Sequence, residues 1–185
     1  MNTQIDSNAI VDFWFSEPVE KMWFNSTPEF DEKLRRAYES LYLDATRGNY
    51  DSWMETASGC LALVIIFDQL PLNMYRGDKA GFAMEARSRE VARHAIALNF
   101  DDEVYSDKQK AFLYMPFMHS EDMKDQELSV ELYEKANLTN NIRFARHHRD
   151  IVKRFGRFPH RNIILGRQST DAELVYLQSK EAFFG

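Results

Sequence analysis

The chain has 185 residues, the size of one domain, with 28% charged and 44% hydrophobic residues, ordinary proportions for a folded globular protein. Its formal net charge of −6, from 23 Lys+Arg against 29 Asp+Glu, argues against a general binder of nucleic acid or of anionic membranes. The longest apolar run, Cys60 to Phe67, is eight residues where a membrane-crossing helix needs about 20, so no span is expected.

The start, MNTQIDSNAI, has neither a basic region nor an apolar core, so no secretory leader is expected. Ser7 is placed to cap a short helix carrying Ile10, Val11, Phe13, Trp14 and Phe15, which Pro18 should end. Ser26-Thr27-Pro28-Glu29 is a helix-start signal, and Phe30, Leu34, Tyr38, Leu41 and Ala45 then recur at helical spacing up to a stop at Gly48. From Gly59 to Leu70 the chain is apolar on every side, as a central helix is, and Pro71 should close it. Cys60, the single cysteine, lies inside that run and reads as a small buried hydrophobe, which suits a reducing cytoplasm.

Asp78 should open an alanine-rich helix through Leu98, and Ser106-Asp107-Lys108-Gln109 is a capping box for a helix that meets Pro116. Ser120 should cap a helix through Ala136, a further helix should run from Asn141 to Phe155 with Gly156 beyond it, and Thr170-Asp171-Ala172-Glu173 opens the last. Nothing alternates with period two, and no hairpin dipeptide occurs. The expectation is a single all-α domain over residues 1–185, with about eight or nine helices.

Three stretches carry more polar detail than a helix bundle needs. In Asp68-Gln69-Leu70-Pro71-Leu72-Asn73-Met74-Tyr75-Arg76-Gly77, a carboxylate ends the most buried helix and must be paired, with Arg76 the nearest partner in sequence. In Met115-Pro116-Phe117-Met118-His119-Ser120-Glu121-Asp122, His119 stands beside a helix start. In Phe155-Gly156-Arg157-Phe158-Pro159-His160-Arg161-Asn162, two arginines, a histidine and an asparagine crowd one loop. The helix before that loop places Phe144, Ile151, Val152 and Phe155 on one stripe, with His148 inside it and His147 at its edge.

Charge is unevenly spread. Between Arg143 and Arg167 there are eight Lys+Arg and one acid, Asp150, so this segment is +7 and the other 160 residues carry −13. A solvated basic face and an anion site both fit such a run.

At these stretches the chain resembles the bacterial domain-of-unknown-function 924 family. Val11-Asp12-Phe13-Trp14-Phe15, Trp23-Phe24, Phe30-Asp31, Leu61-Ala62, the Asp68-Gln69 turn, Tyr75-Arg76-Gly77, His119-Ser120-Glu121-Asp122 with Gln126, and His148-Arg149 carry the resemblance. Its strongest signature runs from Arg154 to Asn162 and on through Leu165-Gly166-Arg167, Ser169-Thr170 and Glu173. The family's turn usually reads Asp-Gln-Phe-Pro-Arg-Asn, so Leu70 and Leu72 are departures here, and an arginine is missing at Leu72. The resemblance implies tetratricopeptide-like helix pairs in a superhelix, and no settled activity, cofactor or substrate.

Three readings follow. The first is a cytoplasmic binding module whose polar groove joins Asp68, Asn73, Arg76, His119, Glu121, His148, Arg157, His160, Arg161 and Asn162. Its ligand would be an anionic small molecule or an acidic peptide or protein segment, without nucleic acid, membrane or cofactor. The second is a hydrolase-like enzyme with His119 or His160 as general acid or base, oriented by Glu121, and arginines stabilising an anionic transition state. No glycine-rich phosphate loop, nucleophile elbow or paired-histidine zinc helix is present, and no compact spacing supports a metal at His119, Glu121 and His148 or His160. The third is a polar cluster that only locks helices together.

Overall fold

The computed structural model describes residues 6–184. Among these the chain is all-helical, with no strand, and it divides into two compact units: residues 6–76 with 80–116, and residues 77–79 with 117–184. Of the stretch expected to lack a leader, residues 1–5 lie outside the described residues.

In the first unit, α1 (Ser7–Trp14) is capped by Asp6, whose Oδ1 accepts from Ala9 N at 2.8 Å, so the cap falls one residue before the expected Ser7. Ile10, Val11 and Trp14 face inward. Pro18 lies in the first turn of a short α2 (Glu17–Glu20), where a missing N–H costs nothing; it starts a helix rather than ending one. α3 (Pro28–Thr46) follows a Thr27 cap and is left through Gly48, whose φ of +84° the expected stop requires.

The central helix is longer than its apolar run predicted. After a 3-10 turn (Asp51–Glu55) and a Thr56 cap, it passes from α4 (Ala57–Val64) through a π turn (Ile65–Gln69) into α5 (Leu70–Met74). Pro71 therefore does not close it. A proline in a regular α-helix crowds the carbonyl four residues back. Here the helix widens just before it, with Leu70 N–H bonding to Ile65 O, five residues back. Ala57–Met74, 18 residues of mean hydropathy 1.4, has the length and composition to cross a membrane, but 83% of it is buried inside the protein, as befits a core helix. Cys60 through Phe67 form the floor of this core, and the Cys60 thiol is pushed up to about 11 by burial.

α6 (Glu85–Ala97) begins seven residues after the expected Asp78, because a 3-10 turn (Lys79–Phe82) takes up the first part. Ala92 and Ala95 are fully buried, which lets α6 approach α4 closely. α7 (Phe100–Glu103) follows Asn99 in a left-handed conformation. α8 (Asp107–Met118) starts at the Ser106/Gln109 box and carries Pro116 within it.

In the second unit, α9 (Met123–Lys135) is capped by Asp122, while the expected cap Ser120 instead accepts from Asp122 N and donates to Asp125. It packs against α10 (Thr139–Phe155), which ends at Gly156 with φ +72°. A 3-10 turn (Pro159–Arg161) leads to α11 (Asp171–Leu177), opened by the full Thr170/Glu173 capping box. Ile151, Val152, Phe158 and Tyr176 form this unit's core, with Phe155, Leu177 and Phe183 packed on it. Phe144, expected on the inward stripe, is 46% exposed.

Candidate functional site

Asp68, Asn73 and Arg76 belong to the first unit. Asp68 and Gln69 are buried in the π turn, and Gln69 Nε2 donates to Asp68 Oδ2 at 2.5 Å. Asn73 Nδ2 donates to Gln69 O at 3.1 Å, supplying a partner inside the distorted turn. The expected Asp68–Arg76 pair does not form. Arg76, 60% exposed, pairs with Asp31 at 2.7 Å and donates to Asn73 Oδ1 at 3.0 Å. The reason is geometric: α5 packs on α3, which brings Asp31 within reach of the turn after it. A shallow groove of about 260 Å³ lies there, bordered by Pro28, Asp31, Glu32, Arg35, Asn73, Met74 and Arg76. Its two arginines face two carboxylates, so it has no strong charge of its own.

His119, Glu121, His148, Arg157, His160, Arg161 and Asn162 belong to the second unit. Four polar side chains here form one lattice with Arg167. Glu121 takes Arg167 on both oxygens, at 2.6 and 2.9 Å, and Phe158 N–H at 2.8 Å. Burial alone would raise its pKa; these bonds outweigh that and hold it below the usual carboxylate range. Arg167 also donates to Phe158 O and to Asn162 Oδ1. Asn162, fully buried, donates to Ser169 Oγ and Glu173 Oε2.

Glu173 receives Arg157 Nε at 2.6 Å, Arg157 Nη2 at 2.8 Å and Thr170 N–H at 2.7 Å. The Arg157 guanidinium, ahead of the Thr170 bonds, brings its pKa down to about 2 against the opposing effect of burial. Arg157 and Arg167 thus spend their donors on backbone carbonyls, on Asn162 and on two carboxylates. Arg167 and Glu173, central to this lattice, stood in the family signature but not among the candidate site residues. Glu121 binds Arg167 and Phe158 N–H, and among the described residues no hydrogen bond joins it to His160, one of the two histidines it was expected to orient.

The histidines gather around Phe183. Its ring centroid lies 4.5 Å from that of His148, 5.2 Å from His160 and 6.1 Å from His147, all edge-on. Phe158 backs the same group, 5.5 Å from His148 and 5.6 Å from His160, with the buried Arg161 guanidinium 4.7 Å above its ring. His148 is 5% exposed, and its Nδ1 lies 2.8 Å from Phe144 O. A carbonyl can only accept, so the proton sits on Nδ1. Burial first, then His119, His147 and Arg161, lowers the His148 pKa to about 3; burial and Arg161 lower His160 to about 4. Both are neutral at pH 7, and His160 Nδ1 is buried without a hydrogen-bond partner.

The outward face of α10 is different in kind. Arg146 pairs with Glu134 and Arg149 with Asp150. Arg143, Lys153 and Arg154 are exposed and, among the described residues, have no carboxylate within ion-pair distance. Arg143 lies over Phe144 at 5.2 Å and Arg154 over Phe155 at 4.7 Å. At 100° per residue Arg143, His147 and Arg154 fall within about 40° of one another on the helix. Among the described residues no group of three His, Cys, Asp or Glu is placed to hold a metal ion.

The family described as "Bacterial protein of unknown function (DUF924)" matches residues 10–181. The structure of a protein of unknown function, ATU0120 from Agrobacterium tumefaciens, is similar to this chain at 36% identity, with a TM-score of 0.88, covering 93% of this chain and 96% of that one. No curated protein matches this chain.

Proposed function

The chain belongs to the DUF924 family, and we propose that it is a helical binding module that takes an acidic peptide or protein segment on the outward face of α10. The observation that carries this reading is the uneven use of the +7 segment. Arg146, Arg149, Arg157 and Arg167 are neutralised by carboxylates of the chain, while Arg143, Lys153 and Arg154 stand exposed with no carboxylate partner among the described residues. Arginines held over aromatic rings are already ordered, which lowers the entropy a ligand must offset.

Length favours a segment over a metabolite. Eleven residues separate Arg143 from Arg154, about 16 Å along a helix. One phosphate or carboxylate cannot touch both ends, whereas about five extended residues can. The −13 carried by the other 160 residues repels a long polyanion such as nucleic acid but leaves room for a short acidic segment. To the Arg157–Asn162–Arg167 lattice we assign the structural role, because its donors are spent internally. The hydrolase-like alternative gains nothing from the geometry, since Glu121 orients an arginine and a backbone amide rather than a histidine.

The test is fluorescence anisotropy with a labelled oligoglutamate of about ten residues, in about 50 and 300 mM salt. Binding that weakens with salt and is lost in R143E/K153E/R154E supports the reading. Equal binding by that variant, no binding by either protein, or tighter binding of a DNA duplex overturns it.

A further inference from the structure

We infer that the imidazole box around Phe183 is a recognition site for an aromatic side chain of an extended peptide segment, and that the chain occupies it with its own C-terminal strap, residues 178–184. The inference rests on the acidic-segment reading and names the second feature of that partner, an aromatic anchor.

The box has the chemistry of an aromatic pocket. His147, His148 and His160 present their rings edge-on to Phe183, at interplanar angles of 79°, 66° and 81°. Such edge-to-face packing suits an aromatic guest. Its imidazoles at positions 148 and 160 are uncharged at neutral pH, so enclosing a ring against them strips no ion of water. Phe158 closes the back, and His148 is fixed by its bond to Phe144 O.

The strap holds this place lightly. Residues 181–183 are fastened by Glu181 N–H to Ser179 Oγ, Ala182 N–H to Ser179 O and Phe183 N–H to Tyr176 Oη. Gln178 and Ser179 N–H continue onto Leu174 O and Tyr176 O at the end of α11, and beyond them only the Phe183 bond to Tyr176 reaches outside the strap. The fit is also incomplete. His160 Nδ1 stays buried without a partner beside a phenyl ring that has no hydroxyl or amide to offer it. An incoming segment with a hydrogen-bonding group next to its ring meets that need.

The box adjoins the basic face. His147 shares its stripe of α10 with Arg143 and Arg154, two of the three exposed cations that have no carboxylate partner among the described residues. A segment laid on that stripe has an aromatic residue within reach of the box. The strap already has this pattern, with Glu181 two residues ahead of Phe183.

The test compares full-length wild type with full-length F183A. The probe is a labelled peptide of the strap sequence, Gln178 to Gly185, in two forms: unaltered and with Ala in place of the Phe at position 183. The tethered strap competes at an effective concentration in the millimolar range, so F183A should bind the unaltered peptide at least about tenfold tighter than wild type. The altered peptide should bind F183A at least about tenfold more weakly than the unaltered one, and imidazole NMR signals of His148 and His160 should return toward their wild-type positions on adding the unaltered peptide.

A folded F183A that binds the peptide no tighter than wild type, or that binds both peptides alike, overturns the inference. So does dimerisation of wild type that F183A abolishes, since the box would then be filled by a second copy. Should F183A not fold, F183L, which keeps a smaller apolar plug, carries the same comparison with a smaller expected gain. Loss of oligoglutamate binding in R143E/K153E/R154E does not depend on the strap. The basic-face reading and the aromatic-box reading can therefore fail separately.

Discussion

Arg157 grips Glu173 with two hydrogen bonds, Nε to Oε1 at 2.6 Å and Nη2 to Oε2 at 2.8 Å, on a carboxylate that is 2% exposed. Glu173 is also the third residue of the capping box that opens α11, and Asn162 reaches the same oxygen that Thr170 N–H does. One carboxylate therefore ties the signature loop to the last helix. Removing the arginine leaves that carboxylate buried and uncompensated, which costs more than the pair itself contributes.

R157A is accordingly expected to lower the melting temperature by several degrees, and R157A/E173Q to recover part of the loss, because the neutral amide needs no counter-charge. Thermal unfolding of the two single variants and the double variant measures the coupling. If the lattice is structural, R157A leaves oligoglutamate binding by the still-folded protein unchanged. A loss of binding without a loss of stability would return the loop to the ligand site.

Gly59 supports a second prediction. A methyl group added there would overlap the Trp53 carbonyl and press on the Thr56 hydroxyl that caps α4. The obstacle is backbone, which cannot swing aside as a side chain can. G59A should therefore destabilise strongly although Ala is the better helix former. The measurement is a denaturant midpoint, with A57G as a control for helix propensity in the same first turn. A midpoint for G59A at or above wild type contradicts this account.

The π turn supports a third. Asn73 gives Nδ2 to Gln69 O and takes Arg76 on Oδ1, so it stitches the widened turn to the groove beside α3. N73A leaves the carbonyl of a buried residue without that donor, at a cost of about 1–3 kcal/mol. Chemical denaturation gives the loss, and amide exchange should localise the new mobility to residues 65–74.

The helices were legible where local chemistry decides them. Thr27-Pro28, Thr170 to Glu173, Gly48 and Gly156 are caps and stops whose partners lie within a turn, and they act as their sequences say. Pro18 and Pro71 look like helix ends in sequence and Pro116 like a disruption, yet none of them ends a helix. Pro18 and Pro71 sit in first turns, and the π turn before Pro71 removes the clash. Pro116 is carried within α8. That relief depends on a hydrogen-bond register invisible in residue order.

The pairing of charges was the least legible feature. Arg76 reaches back 45 residues to Asp31 and Arg167 reaches 46 to Glu121, distances that only helix packing makes short. The +7 of the segment was visible, but not that Arg146, Arg149, Arg157 and Arg167 meet carboxylates while Arg143, Lys153 and Arg154 have no such partner among the described residues. Phe183 gave no signal at all in sequence, since nothing in a short aromatic tail says that it enters a ring of histidines.

The last prediction concerns pH and His148. Its pKa in the folded protein is about 3, below its ordinary value of 6.5, mainly because burial disfavours the charged ring. The unfolded chain therefore binds a proton more readily than the native one between these limits, and stability rises with pH across that window. The contribution is complete above about pH 6.5 and is lost progressively as pH falls toward 3. His160, held near 4, adds to the same slope over the upper part of the window. Glu173, held near 2, is lost only below about pH 4.5, so a fall in stability between pH 6.5 and 5 belongs to the histidines. H148Q keeps a side-chain donor for Phe144 O but has no proton to gain, and it should flatten the curve between pH 6.5 and 5 while changing stability at pH 8 much less. Urea unfolding at half-unit pH intervals checks this, and an unchanged slope in H148Q would show that His148 is not held neutral by its burial.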